Sequence, residues 1–214
     1  MDASVVEVPA VVARRGRPGY DQRQILAVAV DLFNEQGYDA TSVAAIAEKL
    51  RLAKSALYHH FNSKEEILRL ALDEALIGLE STLRDSLAAD VSGGERLTLV
   101  LRGAVTVLVE RLPYVTLLLR VRGNSDVERA ALERRRAFDH ELIGIVRAAQ
   151  VEGSIRGDID AGVASRLLFG MVNSIVEWYR PTGKQGLNDL VEQVITVALQ
   201  GLRVAPGSPP ASRE

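Results

Sequence analysis

The amino-acid sequence predicts an all-α fold. Apolar residues recur every three or four positions from Asp21 to about Val204. Strand-like alternation of apolar and polar residues is absent. Hydroxyl and acidic residues open several of the periodic stretches, and Gly or Pro closes them.

The first helix is expected in "DQRQILAVAVDLFNEQG", with Ile25, Val28, Ala29, Leu32 and Phe33 on one face and Gly37 as its stop. Thr41 and Ser42 are candidate caps for a short helix, "SVAAIAEKL". A tight connection at Arg51–Leu52 leads into a second short helix, "AKSALYHHF". Ser63 with Glu66 three residues on forms a capping box that opens a long helix. Two short helices joined by a turn and braced by longer ones make a helix-turn-helix. Further on, "RLTLVLRGAVTVLVERL" and "YVTLLLRV" are separated by Pro113. Three helices follow: "DVERAALERRRAFDHELIGIVRAAQVEG", "AGVASRLLFGMVNSIVEWY" and "LNDLVEQVITVALQGLRV". The last two are apolar on more than one face, which predicts a partner helix pair.

The chain divides into a basic arm (1–20), a helix-turn-helix unit (21–67), a larger helical domain (68–204) and a Pro/Ser/Gly-rich tail (205–214) expected to be disordered. With 214 residues, 47% hydrophobic and 25% charged, it has ordinary globular usage. No apolar run reaches the ~18–20 residues that span a bilayer. Apolar residues precede the first arginines, the reverse of a secretory signal, so no membrane partner and a cytoplasmic location are expected.

The absence of cysteine excludes disulfides and thiolate metal sites. His59 and His60 are adjacent, about 100° apart on a helix, and cannot share a metal. His140–Glu141 lacks a second histidine, because Gly144 stands where it would be. Neither Gly93–Gly94 nor the Gly16–Gly19 stretch matches a phosphate-cradling pattern. No nucleophile–base pair is present either, so a non-enzyme without metal or cofactor is expected.

Nucleic-acid binding accounts for more residues. The formal net charge is −2, yet between Ala13 and Arg23 four arginines, Arg14, Arg15, Arg17 and Arg23, stand against one acid, Asp21. In a helix-turn-helix the second helix leads into the major groove with its N-terminal residues, here Lys54, Ser55 and Ala56. Tyr58 and His59, one turn on, reach backbone oxygens. Lys64 lies in the first turn of the next helix, where the dipole favours a phosphate.

Ile25 to Leu68 resembles the DNA-binding domain of the tetracycline-repressor (TetR) family over roughly the first third of the chain. The resemblance rests on spaced elements: Leu32-Phe33, Gly37-Tyr38, Ala40-Thr41-Ser42-Val43, Ile46-Ala47, Leu57-Tyr58, His60-Phe61 and Ser63-Lys64-Glu65. It implies a homodimeric, all-helical transcriptional regulator, usually a repressor, bound to double-stranded operator DNA and released by a small-molecule effector. The same pattern implies DNA contacts from Thr41 or Ser42 and from Lys54, Ser55, Tyr58, His59 and Lys64, with His60 and Phe61 packing. Three positions depart from it. Arg51 stands where glycine is usual, Ala53 where Ser or Thr is usual, and Ser55 where glycine is common.

The ending from Gly170 to Leu202 is similar to that of members controlling catabolism of fatty acids, steroids or other acyl-CoA substrates. That similarity implies an apolar or acyl-CoA effector. Its expected pocket takes Leu101, Val105, Tyr114, Leu118, Arg120 and Arg122 from the middle helices. Phe138, Met171, Asn173, Glu177 and Trp178 complete it from the later ones. The expected dimer interface uses Leu167, Met171, Ile175, Val191, Val194 and Ala198. The alternative is a helical binding protein or enzyme that has lost operator recognition.

Overall fold

A computed structural model of the chain describes residues 20–200 except 182 and 184. Arg14, Arg15, Arg17 and the 205–214 tail lie outside the described residues. Among those described there are nine helices and no strand. They are α1 (Gln22–Gln36), α2 (Val43–Leu50), α3 (Lys54–Tyr58), α4 (Lys64–Ala88), α5 (Gly93–Glu110), α6 (Leu112–Arg120), α7 (Asp126–Val151), α8 (Ala161–Trp178) and α9 (Leu187–Gln200). No helix among them is long and apolar enough to cross a membrane.

Local chemistry sets most boundaries. Asp21, Ser42, Ser63, Ser92, Ser125 and Asp160 each accept a backbone N–H of the helix they precede. The box expected at Ser63 is shifted: the Glu66 carboxylate accepts from the backbone N–H and side-chain amide of Asn62, one residue before the cap. The chain breaks at Arg111, and Pro113 follows in the first turn of α6, where its missing N–H has no helical partner to lose. α3 is shorter than expected. It ends at Tyr58, and His59–His60 form a turn.

α1 to α3 pack around Ile25, Phe33, Ile46, Leu57 and Phe61, with Ile67 and Leu68 of α4 closing the same core. α4 continues into the body, so the boundary expected at 67/68 falls inside one helix. At 25 residues it spans about 37 Å. In the body α4 packs on α5, α6 and α7, while α5 also meets α7, α8 and α9. α4 and α5 approach closely at two glycines. A Cβ on Gly78 would lie 2.9 Å from Val107, and one on Gly103 would lie 2.2 Å from Thr82. The α6–α7 loop is held by buried Glu128, whose carboxylate accepts the N–H groups of Arg122, Gly123 and Asn124 at 2.8–3.0 Å.

Candidate nucleic-acid interface and effector cavity

α3 presents Lys54, Ser55, Tyr58 and the following His59 to solvent, with the Lys54 ammonium 5.9 Å from the centre of the Tyr58 ring. Ser42 is also exposed, although its oxygen is occupied in capping α2. Arg51 takes the left-handed conformation (φ 55°, ψ 40°) that ends α2, and its side chain is exposed beside the start of α3. Ala53 provides no side-chain cap. Both departures leave their local features, a left-handed non-glycine residue and an uncapped helix start, yet the two helices still form.

Two expected contacts are not on this face. Thr41 is fully buried, and its hydroxyl donates to the Gly37 carbonyl at 2.7 Å, which closes the α1–α2 corner. Lys64 points into the protein instead of out from α4. Its ammonium donates to the carbonyls of Tyr38 and Thr41 at 3.0 and 3.1 Å and lies 4.2 Å above the Tyr38 ring. Two backbone carbonyls and an aromatic face together hold the cation. Burial pushes the Tyr38 hydroxyl up to about 12. His60 is exposed, its carbonyl accepts from the Gln22 amide, and its ring centre lies 6.5 Å from that of the buried Phe61 ring.

In the body a narrow slot of about 590 Å³, counting its open mouth, lies among five helices. Leu76 and Leu79 of α4, Leu108 of α5, Leu118 and Leu119 of α6, Phe138 of α7 and Phe169 of α8 make it apolar. Its polar groups are Glu80, Arg134, Arg135, Asp139 and Asn173. Arg134 forms a bidentate pair with Glu80 at 2.7 and 2.8 Å, and that bonding holds the Glu80 carboxyl below its usual range. Asp139 is raised by burial, which Arg135 partly opposes.

Of the expected pocket residues, Leu118, Phe138 and Asn173 line this slot. Leu101 and Val105 are fully buried in the core and do not line it. Tyr114 is half-buried, and its hydroxyl is raised by burial and by Glu74 and Asp31. Arg120 reaches away to the Asn34 carbonyl of α1 at 2.6 Å, and Arg122 projects into solvent from the loop. Met171 is half-buried on another face of α8, while Glu177 and Trp178 are exposed at its end. The missed residues are the α4 wall and the charged run of α7. A signal for the α7 part was present in "ERRRAFDH", where Arg134 and Arg135 stand one turn before Phe138, but solvated arginines give the same pattern.

The expected dimer residues divide. Leu167 is 66% exposed, and Met171 and Ala198 are half-buried. Ile175, Val191 and Val194 are buried inside the protomer, because α8 and α9 each have an inner apolar face. The outward apolar surface is instead Val163, Leu167 and Trp178 on α8 and Val197 on α9.

Residues 25–71 match the family model for bacterial regulatory proteins of the tetR family, and residues 90–202 match that for the tetracyclin repressor-like C-terminal domain. A solved member of the TetR transcriptional regulator family from Streptomyces coelicolor A3 is 44% identical, covers 90% of this chain and 98% of its own, and superposes with a TM-score of 0.80. The HTH-type transcriptional repressor KstR2 of Rhodococcus jostii is 29% identical over 187 residues, covering 84% of this chain and 89% of the relative. AibR, solved in complex with isovaleryl coenzyme A and operator DNA, is 25% identical with a TM-score of 0.70, over 83% of this chain and 97% of that one.

Proposed function

The chain belongs to the TetR family of bacterial regulatory proteins, as a ligand-responsive DNA-binding transcriptional repressor, and from that premise we propose that its effector is an acyl-coenzyme A with an apolar acyl group. The observation that carries this reading is the slot itself, which is apolar inside and charged at Arg134, Arg135 and Asp139. Such a site takes an apolar chain and orients it by a polar end. The coenzyme A thioester in AibR supports the same ligand class here. The protein acts in the cytoplasm, by binding and not by turnover.

Two helices connect the slot to the head. α6 lines the slot with Val115, Leu118 and Leu119, and it also clasps α1: the Asn34 amide donates to the Pro113 carbonyl at 2.8 Å, and Arg120 donates to the Asn34 carbonyl. α4 lines it with Leu76, Leu79 and Glu80 and supplies Ile67 and Leu68 to the head core. A ligand that widens the slot moves both helices together. Release then follows if the ligand prefers the conformation whose two heads no longer fit successive major grooves. Contacts of Ser42, Lys54, Ser55, Tyr58 and His59 with DNA belong to the other conformation.

Titration of isovaleryl-CoA and long-chain acyl-CoAs against a preformed complex of protein and DNA from upstream of its own gene tests this reading. Dissociation at micromolar thioester is the expected result. Dissociation by free acids or neutral apolar molecules alone would remove the thioester assignment.

A further inference from the structure

The groove between α4 and α7 contains three hollows, and one side chain borders all of them. The first is the slot. The second is walled by Leu72, Asp73, Leu76 and Ala131, towards the head, and the third by Leu83, Leu87, Ala137 and Phe138, away from it. Arg134 lines each of the three. It crosses from α7 to α4, with Nη1 2.5 Å from Asp73 Oδ1 and with Nε and Nη2 on the two Glu80 oxygens. Asp73 and Glu80 are seven residues apart, two turns along one face of α4, so a single guanidinium spans both. Only about a third of each of these side chains is exposed (34% for Arg134, 26% for Asp73, 32% for Glu80), so water weakens the bar only in part.

We propose that Arg134 is a selectivity bar: it divides one elongated apolar groove into three hollows, and it yields to ligands whose anionic group replaces Asp73 and Glu80 on its guanidinium. The proposal rests on reading the slot as the effector site and adds how that site chooses. A neutral apolar ligand longer than the slot must break three charge-assisted hydrogen bonds and return nothing. A carboxylate or phosphate returns a bidentate pair. Arg135, whose nearest acceptor is the Leu118 carbonyl at 3.4 Å, stands beside it as a second cation. Once the anion is seated, Glu80 has lost its hydrogen-bond partner, Asp73 keeps only Arg69 at 3.3 Å, and both face a like charge, which drives α4 away from α7.

The test uses two probes of equal length, dodecanoate and 1-dodecanol, followed by displacement of the neutral dye N-phenyl-1-naphthylamine from the full-length protein. Wild type is expected to bind dodecanoate about tenfold more tightly than the alcohol, a preference of about 1.4 kcal/mol. In Arg134→Met the alcohol gains about tenfold and the preference disappears. An Asp73→Asn/Glu80→Gln double variant keeps the cation but frees it, so dodecanoate should tighten about tenfold; this carries the test if Arg134→Met does not fold. An unchanged anion preference in Arg134→Met, or no tightening in the double variant, overturns the bar. Displacement by neither probe from any of the three proteins overturns both the bar and the slot as a ligand site. The expected binding pattern without any release of operator DNA leaves the bar standing and removes only the effector reading.

Discussion

Two lysines near the DNA face have opposite surroundings, and their substitution separates packing from contact. Lys64 is held by two carbonyls and an aromatic ring, whereas Lys54 is exposed at the start of α3. Lys64→Ala is therefore expected to cost about 2 kcal/mol of head stability, the range of hydrogen bonds to a charged group, and to weaken operator binding equally at every salt concentration. Lys54→Ala should leave the melting temperature in place and reduce the slope of log K against log salt by about one. A reduced slope for Lys64→Ala would return that residue to the interface. Arg51→Gly relieves the left-handed turn, worth about 1 kcal/mol, so the urea midpoint should rise; a lower midpoint would show that the arginine itself holds the corner. Ser42 and Ser63 were readable as caps because a cap is local chemistry between residues three apart. Thr41 was not, because its burial depends on where the end of α1 lies.

At the scale of elements, α6, like α4, touches both ends of the response. Arg120 was expected to meet an anionic ligand; it binds the last turn of α1 instead. Arg120→Ala is thus expected to leave ligand binding unchanged and to weaken coupling, so that saturating ligand releases less DNA whether the ligand is charged or neutral. Calorimetry of the ligand alongside gel shifts of the complex checks this. A loss of affinity confined to anionic ligands would return Arg120 to the pocket. The helices themselves were legible from period and caps, down to the break before Pro113. Which residues of each helix line the slot was not legible, because Leu101 and Val105 lie on the same apolar side of α5 as the slot-lining Ala104 and Leu108, and period alone cannot distinguish core from cavity wall.

The whole molecule requires a second copy. Two heads on a near-palindromic site must lie one helical turn apart, about 34–36 Å. The outward row of Val163, Leu167 and Trp178 on α8, with Val197 on α9, is the surface that a second α8–α9 pair would cover. Leu167→Glu should therefore give a folded monomer in sedimentation, with native helical circular dichroism and little operator affinity. Val194→Glu, on the buried inner face, should instead lower the melting temperature sharply, because it places an unpaired charge in the protomer core. A folded monomer from Val194→Glu, with an unaffected dimer from Leu167→Glu, would reverse the two faces.

Much of this protein was determined by sequence alone: the nine helices of the described residues, the caps Ser42 and Ser63, the helix-turn-helix and the regulator family that its spaced elements resemble. Those features depend on residues a few positions apart, where hydrogen bonds and period-3.6 burial act without reference to the rest of the chain. The tertiary structure alone decided that Thr41 and Lys64 turn inward, that Ile175, Val191 and Val194 serve the protomer core, and that Arg134 spans Asp73 and Glu80 across the groove. The Lys64 and Arg134 pairings join residues from 23 to 61 positions apart. Which distant carbonyl or carboxylate a cation finds depends on how helices pack, and no local pattern encodes that.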